Sequence, residues 1–219
     1  MLFRSNVPFD PLLDFAPVTL AVNSPNVLVV HPSLPVKTVR ELVALAKAQP
    51  GKLNYSAGIT GSSPHLAAEL FKSMTGVEIV HIPYRGSAPA MTDVMGGHVD
   101  LMFEGGGINY IRDGKVRGLG VTSLKRTVNA PNLPTVHEAG VPGYEAAIWF
   151  GIAAPAGTPR PIVNTLSREI GAALNEPAFR ERLPNLDMAP GTPEAFADYI
   201  RREIPKWRRV IETAKIAVE

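Results

Sequence analysis

The chain has 219 residues, 45% hydrophobic and 19% charged, which is the balance of an ordinary globular protein long enough for one large domain or two small ones. A net charge of +2 is too mild to make nucleic acid a partner, and zero cysteines exclude disulfide and thiol chemistry. No apolar run is long enough for direct membrane insertion, and the opening Met1-Leu2-Phe3-Arg4-Ser5 does not have the pattern of a signal peptide.

The first twenty residues, with Pro8, Pro11 and Pro17, are expected to be loop-like and to lead into an extended run over 18–22. The β-branched run Val27-Leu28-Val29-Val30 predicts a buried strand. Thr38 with Glu41 three residues on forms a capping box. Val39, Leu42, Val43 and Ala46 make the apolar face of the helix it starts, and Pro50-Gly51 stops that helix.

The stretch from Lys52 to Lys72 is the most informative. Leu53 and Tyr55 alternate as in a strand, Ala57-Gly58-Ile59-Thr60-Gly61 bends, and Ser62-Ser63-Pro64 opens a helix with Leu66, Leu70 and Phe71 on one face. Gly58 and Gly61 let the backbone turn sharply, Ser62 or Ser63 can cap, and Pro64 fits a first turn that needs no N–H there. Free N–H groups at the helix start, with the helix dipole behind them, favour an anion. The loop at 57–63 is thus a candidate site for something small and negative. The alternative is a tight strand–helix turn that binds nothing.

The pattern then repeats. A strand is expected over 78–82, a turn over 83–87, and a helix over 88–95 that Gly96-Gly97 ends. A strand over 99–103 leads into Glu104-Gly105-Gly106-Gly107, followed by a short helix over 108–112 and a strand over 116–121. Such alternation implies a mainly parallel sheet with helices on its faces and ligands at the carboxyl ends of strands. Three loops qualify: 57–63, 84–88 and 103–107. Residues 123–147, rich in Pro and Gly, are predicted to be a connection over the surface, and 147–153 a strand that crosses to a second unit. Two long helices end the chain. Ile162, Val163, Leu166, Ile170 and Leu174 stripe the first. Phe196, Tyr199, Ile200, Ile204, Trp207 and Ile211 stripe the second, which Thr192 caps and Pro205 is predicted to kink or split near Ile204.

Neither a G-K-[ST] phosphate loop nor G-x-G-x-x-G is present, so no nucleotide cofactor is expected. Ser62, Ser63 and His65 lack the G-x-S-x-G elbow of a nucleophile, and His65 has the spacing to meet Glu69 one turn on. His81, in an apolar strand, is expected to be a satisfied core histidine, and His31, His98 and His137 lack metal-ligand spacing. Arg201, Arg202, Lys206, Arg208 and Arg209 form a solvated face. Arg85, beside Tyr84 at a strand end, adds positive potential for an anion.

Several ordered motifs together resemble a known family: Pro25-Asn26-Val27-Leu28-Val29-Val30, Gly51-Lys52-Leu53-Asn54-Tyr55, Gly61-Ser62-Ser63 with His65-Leu66-Ala67, and Ile82-Pro83-Tyr84-Arg85-Gly86-Ser87-Ala88-Pro89-Ala90. Pro134-Thr135-Val136, Glu138-Ala139-Gly140 and Ala154-Pro155-Ala156-Gly157-Thr158-Pro159 add to them. The chain resembles the tripartite tricarboxylate transporter substrate-binding proteins, the Bug receptors, from about Leu13 to Val210. The resemblance implies a periplasmic-binding-protein-like (type 2) fold of two α/β domains that close on a small carboxylate or related amide. It also implies a periplasmic location, delivery of the ligand to a membrane permease or sensor, no cofactor, no metal and no catalysis. Carried over position by position, the ligand-binding residues would be Gly58, Gly61, Ser62, Ser63, Tyr84, Gly86, Ser87 and Glu104.

The sequence departs from the family pattern at its opening portion, at Glu104-Gly105-Gly106-Gly107, over 183–190, which looks shortened, and at Pro64 and Pro205. On this reading 23–148 form a complete α/β domain, while 1–22 with 149–219 form the remnant of the other, whose terminal helices dock imperfectly. Two alternatives remain open: a cytoplasmic ligand-sensing effector domain and a serine-dependent hydrolase.

Overall fold

The structure is a computed structural model, and it describes residues 8–183 and 186–216. Strand β1 (Phe15–Pro25) is separated by Asn26 alone from β2 (Val27–Val30), whose four side chains are fully buried. Helix α1 (Val39–Ala48) starts at the expected capping box. The Glu41 N–H donates to the Thr38 hydroxyl at 3.1 Å, and the Thr38 N–H donates back to the Glu41 carboxylate at 3.2 Å. Then come β3 (Asn54–Ala57), α2 (Ser63–Thr75), β4 (Val80–Pro83), α3 (Ser87–Met95), β5 (Leu101–Glu104), α4 (Gly107–Arg112) and β6 (Arg117–Val121). The chain continues through β7 (Ala147–Pro155), α5 (Arg160–Asn175), α6 (Pro177–Arg182) and α7 (Pro193–Thr213). Of these, α6 was not anticipated; Pro177 stands in its first turn, where a missing N–H costs nothing.

The chain divides into two compact units, one of 25–148 with 213–216 and one of the described residues in 8–24 and 149–212. The larger is built on a five-stranded sheet in the order β4-β3-β5-β2-β6. β3 pairs parallel with β4 and β5, whereas β2 pairs antiparallel with both β5 and β6. The expectation of a mainly parallel sheet therefore fails for half of its pairings. An unbroken apolar run such as 27–30 shows that both faces are covered, and it carries no information about direction.

On one face Leu66, Ala67, Leu70 and Phe71 of α2 are buried, with the Phe71, Phe103 and Tyr144 rings in contact. On the other, Val27, Val29 and Met102 pack against Ala90, Met91 and Val94 of α3, with Ile108 and Ile111 of α4 alongside. The segment 123–147 is more than a surface connection. The Val121 N–H donates to the Pro134 carbonyl at 2.9 Å and the Val136 N–H to the Val121 carbonyl at 2.8 Å. Val136 and Tyr144 are fully buried, and the Tyr144 hydroxyl donates to the Ala67 carbonyl at 2.8 Å. The segment covers the edge that β6 would otherwise leave unpaired.

In the smaller unit β1 pairs with β7. Backbone bonds from Asn23 to Asp187 and from Ala189 to Ala21, 2.9 and 3.0 Å, lay 187–189 along β1. Ala21, Val22 and Leu174 form one cluster, and Phe196, Tyr199 and Ile200 another beside Trp149. Val163, Ile200 and Trp207 are buried, while Ile162 and Leu166 stay 51% and 39% exposed. Thr192 caps α7 as expected, its hydroxyl accepting the Ala195 N–H at 3.2 Å. Pro205 does not split that helix, which runs unbroken to Thr213. Pro205 and Arg201, whose carbonyl would have received the missing N–H, are both exposed, so water can take that bond.

Candidate functional site

The glycine-bent loop between β3 and α2 touches the turn between β4 and α3. A Cβ on the buried Gly58 would lie 3.3 Å from the Gly86 Cα and carbonyl carbon and 3.4 Å from the Ser87 nitrogen. A side chain here would press on the neighbouring backbone, so glycine suits this close approach. The Tyr84 N–H donates to the Ala57 carbonyl at 2.9 Å and carries the pairing of β3 and β4 into the loops. Gly58, Gly86 and Ser87 are thus brought together at the carboxyl ends of two parallel strands.

The tip of the first loop turns at Gly61, whose φ of +77° suits glycine. Ser62 occupies the N-cap position of α2, but its hydroxyl makes no capping bond; it is buried and has no partner. Ser63, the first helical residue, accepts a bond of 3.0 Å from the Asn26 side-chain amide. That bond leaves the Ser63 hydroxyl proton free to point elsewhere.

Asn26 is a residue the sequence motifs contained without marking. It is fully buried; its backbone N–H donates to the Thr122 hydroxyl at 2.8 Å and its side chain also reaches the Ala146 carbonyl at 3.4 Å. Its side-chain oxygen has no partner. A polar residue between two strand runs was the available signal. Which neighbour it served depended on α2 and on 122–146, far away in the chain.

Glu104 ends β5 opposite Val27 of β2, and Tyr84 directly follows β4. The Tyr84 hydroxyl donates to Asp93 of α3. Burial, that bond and the Asp93 charge push the phenol up to about 12. Glu104, at the end of β5, has one oxygen 3.5 Å from the Gly106 N–H and the other buried without a partner. Gly105 also approaches Asn26: a Cβ there would lie 3.8 Å from the Asn26 side-chain oxygen. Arg85 is exposed.

Beneath the first loop three rings stack, Tyr55 on His81 at 4.9 Å and His81 on His65 at 4.2 Å. His65 does not meet Glu69, because Glu69 is held by the Tyr55 hydroxyl at 2.5 Å and Lys72 at 2.7 Å. Its Nδ1 accepts the Gly61 N–H at 3.0 Å instead. Burial, followed by the neighbouring His81, pushes His65 down to about 4. His81 is also lowered by burial, and it is not a satisfied core histidine: it is half-buried, with Nε2 unpartnered. Neither serine bonds to His65: the Ser62 hydroxyl has no partner, and Ser63 is engaged by Asn26. Elsewhere, a recess of about 420 Å³ is lined by Pro32, Leu34, Val36 and Arg117. There the Arg117 guanidinium donates to the carbonyls of Pro32, Leu34 and Val36, so its bonds hold the fold.

The fold, an α/β unit with loops gathered at the carboxyl ends of its strands, is of a kind that binds ligands there. Two solved structures share it: R. palustris Rpa4515 with adipate (39% identity, TM-score 0.77, 98% of this chain and 73% of that one) and MatC (Rpa3494) from Rhodopseudomonas palustris with bound malate (29%, 0.72, 96% and 74%). Residues 2–216 match the model of the tripartite tricarboxylate transporter family receptor, and the chain belongs to that family. It is 40% identical over 214 residues to the UPF0065 protein in the tcbD-tcbE intergenic region of Pseudomonas sp. (strain P51). It is 36% identical over 210 residues to Protein BugT of Bordetella pertussis. These alignments cover 95% and 94% of this chain, which spans 64% of the length of each of these two relatives. Among the described residues no helix is long and apolar enough to cross a membrane.

Proposed function

We propose that the chain belongs to an extracytoplasmic solute receptor that binds a small carboxylate and hands it to a membrane permease or sensor, without catalysing a reaction on it. The observation that carries this reading is the start of α2. A buried Ser62 hydroxyl without a partner stands there beside a Ser63 hydroxyl oriented by Asn26. Hydroxyl donors and free helix amides at one point suit a carboxylate oxygen, and a helix start contributes ~0.3–1 kcal/mol to holding an anion. Gly58, Gly61, Gly86 and Ser87 shape the two loops, and the α3 amides add to the positive end. Family membership, and the adipate and malate bound by two similar proteins, support the ligand class. The unpartnered Glu104 oxygen asks for a hydrogen-bond donor, so a hydroxyl, amide or ammonium on the ligand is favoured over a plain dicarboxylate.

Calorimetric titration with adipate, malate and aspartate tests this. Ser63→Asp puts a like charge at the site and should weaken all three by about tenfold or more, ~1.4 kcal/mol. It should barely move the melting point, because an acid at a helix start is not intrinsically destabilising. Unaltered affinity would remove this loop from the site. Glu104→Gln should strengthen adipate and weaken aspartate; an equal response of the two would show that Glu104 does not discriminate.

A further inference from the structure

We propose that His65 is a positioning residue for this carboxylate site: through Nδ1 the neutral imidazole holds the Gly61 N–H and thereby the loop that presents Ser62 and Ser63. This rests on the reading of 57–63 as the carboxylate loop.

The tip of that loop has little else to hold it. Ile59 is 70% exposed, Thr60 and Gly61 are exposed, and within 59–62 the backbone closes only through the Ser62 N–H to the Ile59 carbonyl at 3.0 Å. The 3.0 Å bond from Gly61 to His65 ties the tip to the first turn of α2. The His65 ring is itself fixed, 5% exposed and stacked 4.2 Å from His81.

A neutral imidazole has one donor and one acceptor nitrogen, so acceptance at Nδ1 places the proton on Nε2. A second proton on Nδ1 would set a donor against the Gly61 donor and break the tie. The surroundings oppose that proton. Burial is the largest cause, and His81 of β4 lies stacked on the ring. Tyr55 of β3 is neutral, with its hydroxyl given to Glu69. Within α2, Glu69 would attract a proton, but Lys72 sits 2.7 Å from it and opposes the effect.

The pH sign follows. An unfolded chain protonates its histidine near the ordinary 6.5, whereas His65 in the fold resists down to about 4. Stability from this residue is therefore full above pH 6.5 and falls as pH drops towards 4, where the loop bond is also lost. Between neutrality and mild acid the loop keeps its shape.

The test joins nuclear magnetic resonance to calorimetry on the full chain. In the unaltered protein the Gly61 amide signal should follow the His65 ring nitrogens in one titration with a midpoint near pH 4. His65→Asn offers an acceptor oxygen close to the place of Nδ1 with no proton to gain, so the Gly61 amide should stop titrating. His65→Phe keeps an aromatic ring without the acceptor; Gly61 exchange should rise about tenfold and adipate affinity fall about tenfold, with His65→Asn recovering most of both. A Gly61 signal indifferent to the His65 titration would overturn the proposal even if His65→Phe failed to fold. So would equal weakening of adipate by the Asn and Phe variants. Ser63→Asp, titrated alongside, separates the two readings. If it leaves adipate affinity unchanged, the carboxylate reading falls and this proposal with it. If it lowers affinity while His65→Phe does not, only the role of His65 falls.

Discussion

The two units close their apolar surfaces to different degrees. In the larger one, β2 is fully buried between two neighbours and two layers of covering side chains. In the smaller one, a two-stranded sheet leaves Phe150 and Ile152 of β7 58% and 39% exposed, and α5 turns Ile162 into water. A closed core can hold unusual polar groups in place. Asn26, Ser62 and Glu104 in the larger unit each keep an oxygen without a partner, and Asn23 does so in the smaller one. Each such oxygen costs about 1–3 kcal/mol when nothing meets it, a cost that the packing of the larger unit is better able to offset.

The largest effect should come from weakening that frame. Leu28→Ala removes a side chain that is 0% exposed in an interior strand of the sheet, and should cost about 2–5 kcal/mol in chemical denaturation. A cost below 1 kcal/mol would show that the larger unit is not the tightly closed one. Next is the contact between the loops. Gly58→Ala sets a methyl 3.3 Å from the Gly86 backbone, which has no flexible end to yield. It should cost about 1–3 kcal/mol by overpacking. Gly86→Ala meets nothing within 4 Å and should leave stability nearly unchanged, so melting curves of the pair measure how rigidly the loops are joined. The smallest effect belongs to the smaller unit. Ile162→Ala, at a side chain already 51% exposed, should stay within about 0.5 kcal/mol. A loss comparable to that of Leu28→Ala would erase the contrast between the units.

The local features were legible along the chain. The Thr38–Glu41 box, the glycine-bent turn before Pro64 and the strand at 27–30 all depend on residues within a few positions of one another. The family, too, was legible, because its motifs are short and ordered. The division of labour inside the site was not. His65 has the spacing to meet Glu69, and nothing local reveals that Tyr55, fourteen residues earlier, holds that carboxylate. The Ser62 and Ser63 hydroxyls look equivalent until Asn26, 37 residues before Ser63, engages only one.

By itself the sequence determined where helices start, which residues are apolar enough to be inside, and to which family the chain belongs. These follow from neighbours in the chain, whose spacing the covalent backbone sets. Only the tertiary structure decided that β2 runs against its sheet neighbours, that 134–136 line the edge of β6, and that Asn26 and His65 serve the loop. Those outcomes rest on which hydrogen-bonding groups meet across long separations. A donor or acceptor in the sequence shows what it needs, and only packing shows what answers it.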